Sequence, residues 1–377
     1  MAILLVGFDI SQLRPWLPSP STDLGSGRNP AECARQRDPH RLESQKRREE
    51  EPMPKIRSRI AFAALLALAS AAARAEDVLI TQYKADPSGA PYGVAIEKGF
   101  FKKAGIDITG VISGAGGGTS VRSAIASDLG FGDVSPAPVI AAIEQGQDIR
   151  IVSLGSRSLA DNVVIVMPDS PIKSVKDLKG KKFAISNPKS LGEMTAVLVF
   201  EQAGLQPEDV QRVALGGLSG ALTALENGVV DATSIPGILF LTRGGESKYR
   251  VLLGPKDLPL LPPAVGIATS SLMAKHPDKL RALLAGRREG VKFIYAHPPE
   301  AIEILSKVYE PLPPKDVGTL INQLVDARFW SEGQIEMQGL ENAVRAMKFV
   351  GSLNKDVDLN RMIDPSFLPS DLQPVKK

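Results

Sequence analysis

Cysteine, histidine and aromatic residues are scarce in this sequence of 377 residues. It has one cysteine, Cys33, three histidines and an aromatic share of 5%. A single thiol excludes a disulfide within the chain and a zinc site built from several cysteines. The few histidines form no cluster typical of a metal site, and no Ser-His-Asp arrangement is visible. We therefore predict no catalytic residues, no metal and no cofactor.

Long apolar runs and a strong charge of one sign are also missing. The apolar run at 60–73 is shorter than the ~20 residues that a membrane-spanning helix needs. Of the 45 basic and 42 acidic residues, 12 basic and 8 acidic ones lie within 1–75. From 76 to 377 the count is nearly balanced, with 33 basic and 34 acidic residues. No nucleic-acid partner is therefore expected.

The first 75 residues have the composition of a leader rather than of a folded domain. Residues 1–52 mix Pro, Arg, Ser and Glu without periodicity, which predicts a disordered, non-native extension ahead of the true start. From Met53, a basic stretch, the apolar run and Ala73-Arg74-Ala75 follow the pattern of a secretory signal peptide. We expect translation from Met53, cleavage after Ala75 and a periplasmic mature chain without cysteine. An unusual functional leader is the alternative.

Small-residue turns join strands to helices in the mature chain. The most prominent is Gly114-Ala-Gly-Gly-Gly-Thr-Ser120, which follows strand 106–112 and opens a helix; strand 129–133 leads to a second turn. Helix starts carry unpaired N–H groups and partial positive charge. Ligands of open α/β sheets lie beyond the carboxyl ends of the strands. We expect the glycine turn to form one wall of a small-molecule cleft.

The strand–turn–helix unit recurs after Pro168, and the final third of the chain is helical. Small-residue turns open helices near 187–192 and 216–219. Apolar residues then recur at helical spacing in four segments, which are 277–296, 298–309, 314–328 and 338–350. The alternation predicts an α/β fold with mostly parallel strands. Residues 362–377 have the composition of a loose tail.

Four short segments follow one another in an order typical of one protein family. The first is Tyr92-Gly-Val-Ala-Ile-Glu-Lys-Gly-Phe-Phe-Lys-Lys-Ala-Gly-Ile-Asp-Ile108, and the others are 124–133, 174–181 and 225–232. Together they resemble the nitrate/sulfonate/taurine-type substrate-binding proteins of ABC transporters, a family shared with binders of thiamine precursors. The likeness covers about 77–350.

The resemblance implies a two-lobe, type II periplasmic-binding-protein-like fold with mixed sheets and a ligand cleft between the lobes. Lobe 1 is expected to contain 77–167 and 264–350, lobe 2 to contain 168–263, and 351–377 to be a C-terminal tail. The implied function is that of a monomeric periplasmic solute-binding protein. It closes about a hinge on a small polar or anionic organic ligand and delivers it to an ABC permease in the inner membrane.

Position by position, the resemblance implies a cleft lined by turns and loops of both lobes. These turns offer serine, threonine and glycine but no obvious arginine or lysine clamp. The implied ligand-binding residues are Ser88, Gly116, Gly117, Gly118, Thr119, Asp133, Ser135, Ser190, Leu191, Gly216, Gly217 and Pro236.

Other interpretations of these residues stay open at the level of sequence. The glycine turn with Asp133 downstream also resembles a dinucleotide site, although Thr119 stands where a third glycine is needed. Asp133 either caps the next turn or pairs with a ligand amine, and Ser135 and Ser190 either cap helices or contact ligand. For the whole protein, the alternatives are a vitamin-pathway enzyme on the same fold and a ligand-sensing partner of a membrane receptor.

Overall fold

Two five-stranded sheets organise the chain in a computed structural model that describes residues 75–373. The predicted extension 1–52, the leader up to residue 74 and the last four residues lie outside the described residues. The strands within the described range are β1 Glu76–Thr81, β2 Ile108–Gly114, β3 Phe131–Val134, β4 Ile149–Leu154, β5 Asn162–Val166, β6 Lys182–Ile185, β7 Gln211–Ala214, β8 Ala232–Pro236, β9 Arg250–Leu253 and β10 Val265–Thr269.

Helices connect these strands and make up the last third of the described chain. They are α1 Ala90–Glu97, α2 Phe100–Ala104, α3 Gly117–Ala126, α4 Pro136–Glu144, α5 Leu191–Gln202, α6 Leu218–Glu226, α7 Gly237–Thr242, α8 Ser270–Lys275, α9 Pro277–Ala296, α10 Pro298–Val308, α11 Pro314–Asp326, α12 Met337–Phe349 and α13 Leu359–Met362. Between residues 75 and 373, no helix combines the length and the apolar character that crossing a membrane requires.

Both sheets are mixed and have the same plan. The first has the strand order β2-β1-β3-β10-β4, and the second has the order β7-β6-β8-β5-β9. In the first sheet β10 runs antiparallel to both of its neighbours, and in the second sheet β5 does the same. The remaining paired strands are parallel, because helices connect them on the sheet faces. The predicted α/β class with mixed sheets is confirmed.

The chain crosses to the second sheet earlier than the sequence analysis placed the crossing. Strand β5, which begins at Asn162, pairs with β8 and β9 of the second sheet. The crossing therefore lies at 155–161 rather than near Pro168. The sequence does not reveal this crossing, because β4 and β5 are two apolar strands that follow one another closely. Only the strands with which they pair assign them to different sheets.

The helices of the last third pack against both sheets. In α11, Val317, Leu320, Ile321 and Leu324 are buried at the spacing of one helix face. This helix packs on α7 beside the second sheet and on α10, whereas α10 packs on α1 beside the first. Helix α12 contacts α4 of the first sheet and α5 of the second. The helical third thus joins the two halves of the molecule.

The segment after α12 is not a loose tail. Ile363 forms a parallel bridge with Ile151 of β4, and the amide of Asp364 donates to the Ile151 carbonyl at 2.8 Å. Phe367 and Leu368 are buried against the first sheet's core. The prediction was wrong because a short, irregular segment has no periodicity, and its burial depends on contacts with a distant strand.

Candidate ligand-binding site

The carboxyl ends of strands from both sheets meet around one enclosed space, which we call the central cavity. The residues around it include Thr81 at the end of β1, Ser135 after β3, Ser186 after β6 and Pro236 at the end of β8. This is where open α/β sheets bind ligands. The cavity has a volume of about 30 Å³. Entry of an organic molecule therefore requires the walls to move apart.

Turns of the two sheets touch at one side of the central cavity. The Asn187 side chain, which follows β6, donates to the Ala115 carbonyl at 3.3 Å. Gly117 has φ of +56°, a left-handed conformation, and a Cβ built there lies 3.1 Å from both the Asn187 Cβ and the Pro188 carbonyl oxygen. Glycine at this position therefore permits both the turn and the close approach of the two halves.

Eight of the twelve predicted site residues line the central cavity. They come from both sheets, and they are Ser88, Gly116, Gly117, Asp133, Ser135, Ser190, Leu191 and Pro236. The structure brings them together because each follows, or ends, a strand whose carboxyl end faces this space. Contact with a ligand remains a prediction for all of them.

The other four predicted residues lie away from the central cavity. Gly118 and Thr119 border a second hollow together with Arg122 and Lys189, which we call the outer cavity. Gly216 and Gly217 precede α6, and from that turn it is the next residue, Leu218, that reaches the central cavity. The direction in which this turn faces could not be predicted from sequence, because it depends on the orientation of the helix.

Several polar residues of the central cavity were missed. They are Thr81, Gln82, Asp86, Asn162, Ser186 and Ser234. Asp86 could have been found in the sequence, because Asp-Pro-Ser is a pattern typical of a helix start. In the structure its Oδ1 accepts from the Ser88 amide at 2.7 Å, ahead of the short turn Pro87–Gly89. Trp330 fixes this loop, since its indole N–H donates to the Pro87 carbonyl at 2.8 Å.

The structure distinguishes helix-capping residues from non-capping ones among Ser135, Ser190 and Asp133. Ser190 caps α5, because its Oγ accepts from the Glu193 amide at 3.3 Å, and it also lines the cavity. Ser135 precedes α4 without a capping hydrogen bond from its side chain. Asp133 does not cap the next turn. Its Oδ2 accepts from the Tyr92 hydroxyl at 2.9 Å and lies 3.6 Å from Nε of Arg287.

Arg287 is a buried cation that the sequence analysis did not single out. It is 1% exposed, donates through Nη1 to the Ser331 carbonyl at 2.8 Å, and donates through Nη2 to the Gly155 carbonyl. Burial raises the pKa of Asp133, and the nearby Arg287 opposes that shift. In sequence Arg287 is one of several basic residues on an amphipathic helix, so no signal marked it.

Asp86, which lines the cavity, and Asp161 form a pair of buried carboxyls. Burial raises the pKa of Asp86 to about 6, and the nearby carboxyl of Asp133 adds to the shift. Asp161 stands beside Asp86, and both burial and the Asp86 charge hold its pKa well above the usual range. The Asp161 Oδ1 accepts from the Asn162 side chain at 2.8 Å.

We expect Asp86→Asn to stabilise the protein in a pH-dependent way. The folded-state pKa of about 6 exceeds the usual 3.8. The stability that protonation of Asp86 contributes is therefore fully present below the pKa of the unfolded state. It is lost as pH rises through the pKa of the folded state. Relative to the unmodified protein, the variant should gain about 3 kcal/mol near pH 8 and almost nothing near pH 4. Urea unfolding at both pH values measures this. Asp128→Asn, at an exposed position, is the control, and equal gains at both pH values would contradict the assignment.

Three oxygens in the cavity wall are buried without a hydrogen-bond partner among residues 75–373. They belong to Thr81, Asp133 and Ser234. Buried polar groups are nearly always paired, and an unpaired one costs about 1–3 kcal/mol. Partners supplied by a bound molecule would remove that cost. Within the same described range, no cluster of His, Cys, Asp and Glu is arranged to hold a metal ion.

Paired mixed sheets with a polar cavity at their carboxyl ends define a two-lobe periplasmic-binding-protein fold, as predicted. The chain belongs to the NMT1/THI5-like family, whose sequence profile matches residues 86–301. It is 26% identical over 287 residues to a putative aliphatic sulfonates-binding protein of Bacillus subtilis, covering 75% of this chain and 85% of that protein. The family resemblance found in the sequence is thereby confirmed.

Solved structures show the same fold. The periplasmic aliphatic sulphonate binding protein SsuA from Escherichia coli superposes with a TM-score of 0.60 at 20% identity, covering 77% of this chain and 97% of that one. The desulfurization enzyme DSZB superposes with a TM-score of 0.52 at 16% identity, covering 77% and 97%. The fold is therefore shared by binding proteins and at least one enzyme, while the sequence relative described above is named as a binding protein.

Proposed function

We propose that this protein is an exported solute-binding protein that closes on one small polar molecule in the central cavity. The observation that carries the proposal is the set of buried, unpartnered oxygens where the two sheets meet. Helix starts at Gly117 and Leu191 add backbone N–H groups to the same walls. A ligand that satisfies groups from both halves stabilises the closed arrangement, as hinge-bending binding proteins do.

Delivery to an ABC permease in the inner membrane is the second element of the proposal. It rests on the family and on the leader pattern from Met53 to Ala75. The first strand, β1, begins at Glu76, the residue after the predicted cleavage site. Cleavage there leaves the described fold intact. We propose that the mature protein acts as a monomer, with 77–154 and 264–350 in one lobe and 162–253 in the other.

The rival function is an enzyme on the same fold, for which DSZB is a precedent. Covalent catalysis needs a nucleophile that is activated by an adjacent base, by a lowered pKa or by a metal. In the part of the chain that the structure describes, the cavity-lining side chains include no histidine, lysine or cysteine. This arrangement favours binding over covalent catalysis.

Expression from Met53 in a Gram-negative host, followed by native mass spectrometry of the periplasmic fraction, tests the proposal. We expect a monomer whose mass starts at Glu76, with a small molecule that is released on denaturation. Ala73→Leu is the control for export, because it breaks the small-residue cleavage pattern and should leave the leader attached. An uncleaved cytoplasmic chain that converts metabolites would overturn the proposal. Binding of the same mature protein to a membrane receptor instead of a permease would favour the sensing role.

A further inference from the structure

The walls of the central cavity are acidic. Among the residues that the structure describes, its lining side chains include the carboxyls of Asp86 and Asp133 and no basic group. Asp161 adds a third buried carboxyl, close enough to Asp86 for the two charges to interact. Arg287 is buried outside the cavity lining and lies 3.6 Å from Asp133, so it balances one of these three carboxyls.

Two of the three carboxyls keep an oxygen free. The Asp133 Oδ1 and the Asp161 Oδ2 are buried and have no hydrogen-bond partner within 75–373. Asp133 is 1% exposed and forms part of the cavity wall. A buried carboxylate is costly unless it is paired with a positive charge or a hydrogen-bond donor. For Asp133, which lies beside Arg287 and keeps one oxygen free at the cavity wall, the missing partner is thus a donor, and it can come from the cavity.

We propose that the ligand carries a positively charged nitrogen group, an ammonium or amidinium, that binds between Asp86 and Asp133. The inference rests on the proposed function and names its ligand class. N⁺–H donors form charge-assisted hydrogen bonds to carboxylates, which are roughly twice as strong as neutral ones. A purely anionic ligand meets like charge here instead, and the described lining offers it no arginine or lysine. Acceptor atoms elsewhere on the ligand face the helix starts at Gly117 and Leu191.

Matched probes of opposite charge test this inference. The exported chain is freed of any co-purified molecule by dialysis under denaturant, refolded, and titrated at about pH 7.5. The probes are short primary alkylammonium and alkylamidinium ions and the alkanesulfonates of the same chain length. We expect at least one cation to raise the Tm and bind by calorimetry, and no sulfonate to do so. Binding of a sulfonate, or of no cation, would overturn the inference.

Single-residue variants locate the cation. Asp86→Asn should weaken binding of the best cation at least about tenfold, whereas Asp128→Asn, at an exposed position outside the cavity lining, should not change it. Asp133→Asn should have a similar effect. Because that change also leaves Arg287 unpaired, Asp86→Asn decides the question if the Asp133 variant does not fold. Unchanged affinity in Asp86→Asn would contradict the assignment.

The pH dependence of cation affinity distinguishes direct binding by Asp86 from a purely structural role of that residue. The groups that face Asp86 are Asp133, Asp161 and the phenol of Tyr309. Cation affinity should fall as pH drops through about 6, where the Asp86 carboxyl becomes neutral. A flat profile would contradict the inference. If the molecule that co-purifies with the protein is an anion, the proposed function stands and this inference fails; if the chain is neither exported nor ligand-bound, the proposed function itself fails.

Discussion

Gly117→Val lowers ligand affinity at least about a hundredfold while removing only about 1–2 kcal/mol from the free energy of unfolding. The smaller effect comes from forcing a β-branched residue into the left-handed conformation at φ of +56°. The larger effect comes from its position between the two halves of the molecule. The valine Cβ lies 3.1 Å from both Asn187 and the Pro188 carbonyl, and its methyl groups need still more room.

The valine therefore holds the turns of the two sheets apart. Apparent affinity falls in proportion to the population of the closed state, and about 3 kcal/mol of closing penalty corresponds to the hundredfold loss. The measurement is the fraction of periplasmic protein that carries the small molecule in native mass spectra, followed by titration of the stripped protein with that molecule. Urea unfolding of the same preparation gives the stability change.

Gly118→Val is the matched control for this prediction. Gly118 is the next residue of α3, and a Cβ there meets only the end of the flexible Arg122 side chain, at 3.3 Å. It borders the outer cavity and not the central one. We expect affinity within a few-fold of the unmodified protein. Equal losses of affinity in both variants, or a Gly117→Val loss that matches its loss of stability, would show that the turn is merely structural.

Arg287→Met lowers the free energy of unfolding by about 3–5 kcal/mol, which is the usual cost of removing one partner from a buried ion pair. Methionine replaces the volume of the side chain but not its donors. The carbonyls of Gly155 and Ser331 lose their bonds to the guanidinium, and Asp133 is left as an uncompensated buried carboxyl. A loss of this size is a large share of the 5–15 kcal/mol typical of a folded domain.

The pH dependence of this loss identifies its origin. Without Arg287 the pKa of Asp133 rises further, so protonation relieves the penalty as pH falls. Guanidinium unfolding should therefore show a smaller deficit near pH 5 than near pH 8. Arg281→Met, at an exposed position of the same helix, should cost at most about 1 kcal/mol at either pH. A deficit that is equal at both pH values would mean that lost packing, and not the buried charge, is responsible.

The fold and most of the cavity could be predicted because they follow from local patterns. Turns of small residues after apolar strands place Gly116, Ser135 and Ser190 at carboxyl strand ends, and the carboxyl ends of parallel strands share an edge. The four family-like segments added the two-lobe arrangement. These patterns are formed by residues that are close together in the chain, so they can be recognised in the sequence alone.

The charges of the site could not be predicted, because they depend on contacts between distant segments. Arg287 reaches Asp133 across more than 150 positions of chain, and Asp161 meets Asp86 only where the chain crosses between the sheets. Ile363 joins the first sheet through a single bridge to Ile151. Periodicity describes which face of a helix is apolar, but it does not say which charged residue on that helix is buried.

The distance between the two halves of the molecule tests the central claim most directly. The predicted mature chain has no cysteine, so Arg122→Cys and Thr223→Cys, at exposed positions on α3 and α6, provide two unique sites for spin labels. Double electron–electron resonance then reports the spacing between them. We predict a longer distance in the stripped protein and a shorter one when the co-purified molecule is added back, with the longer distance retained in Gly117→Val. A single distance in all three samples would contradict closure of the two halves on a ligand.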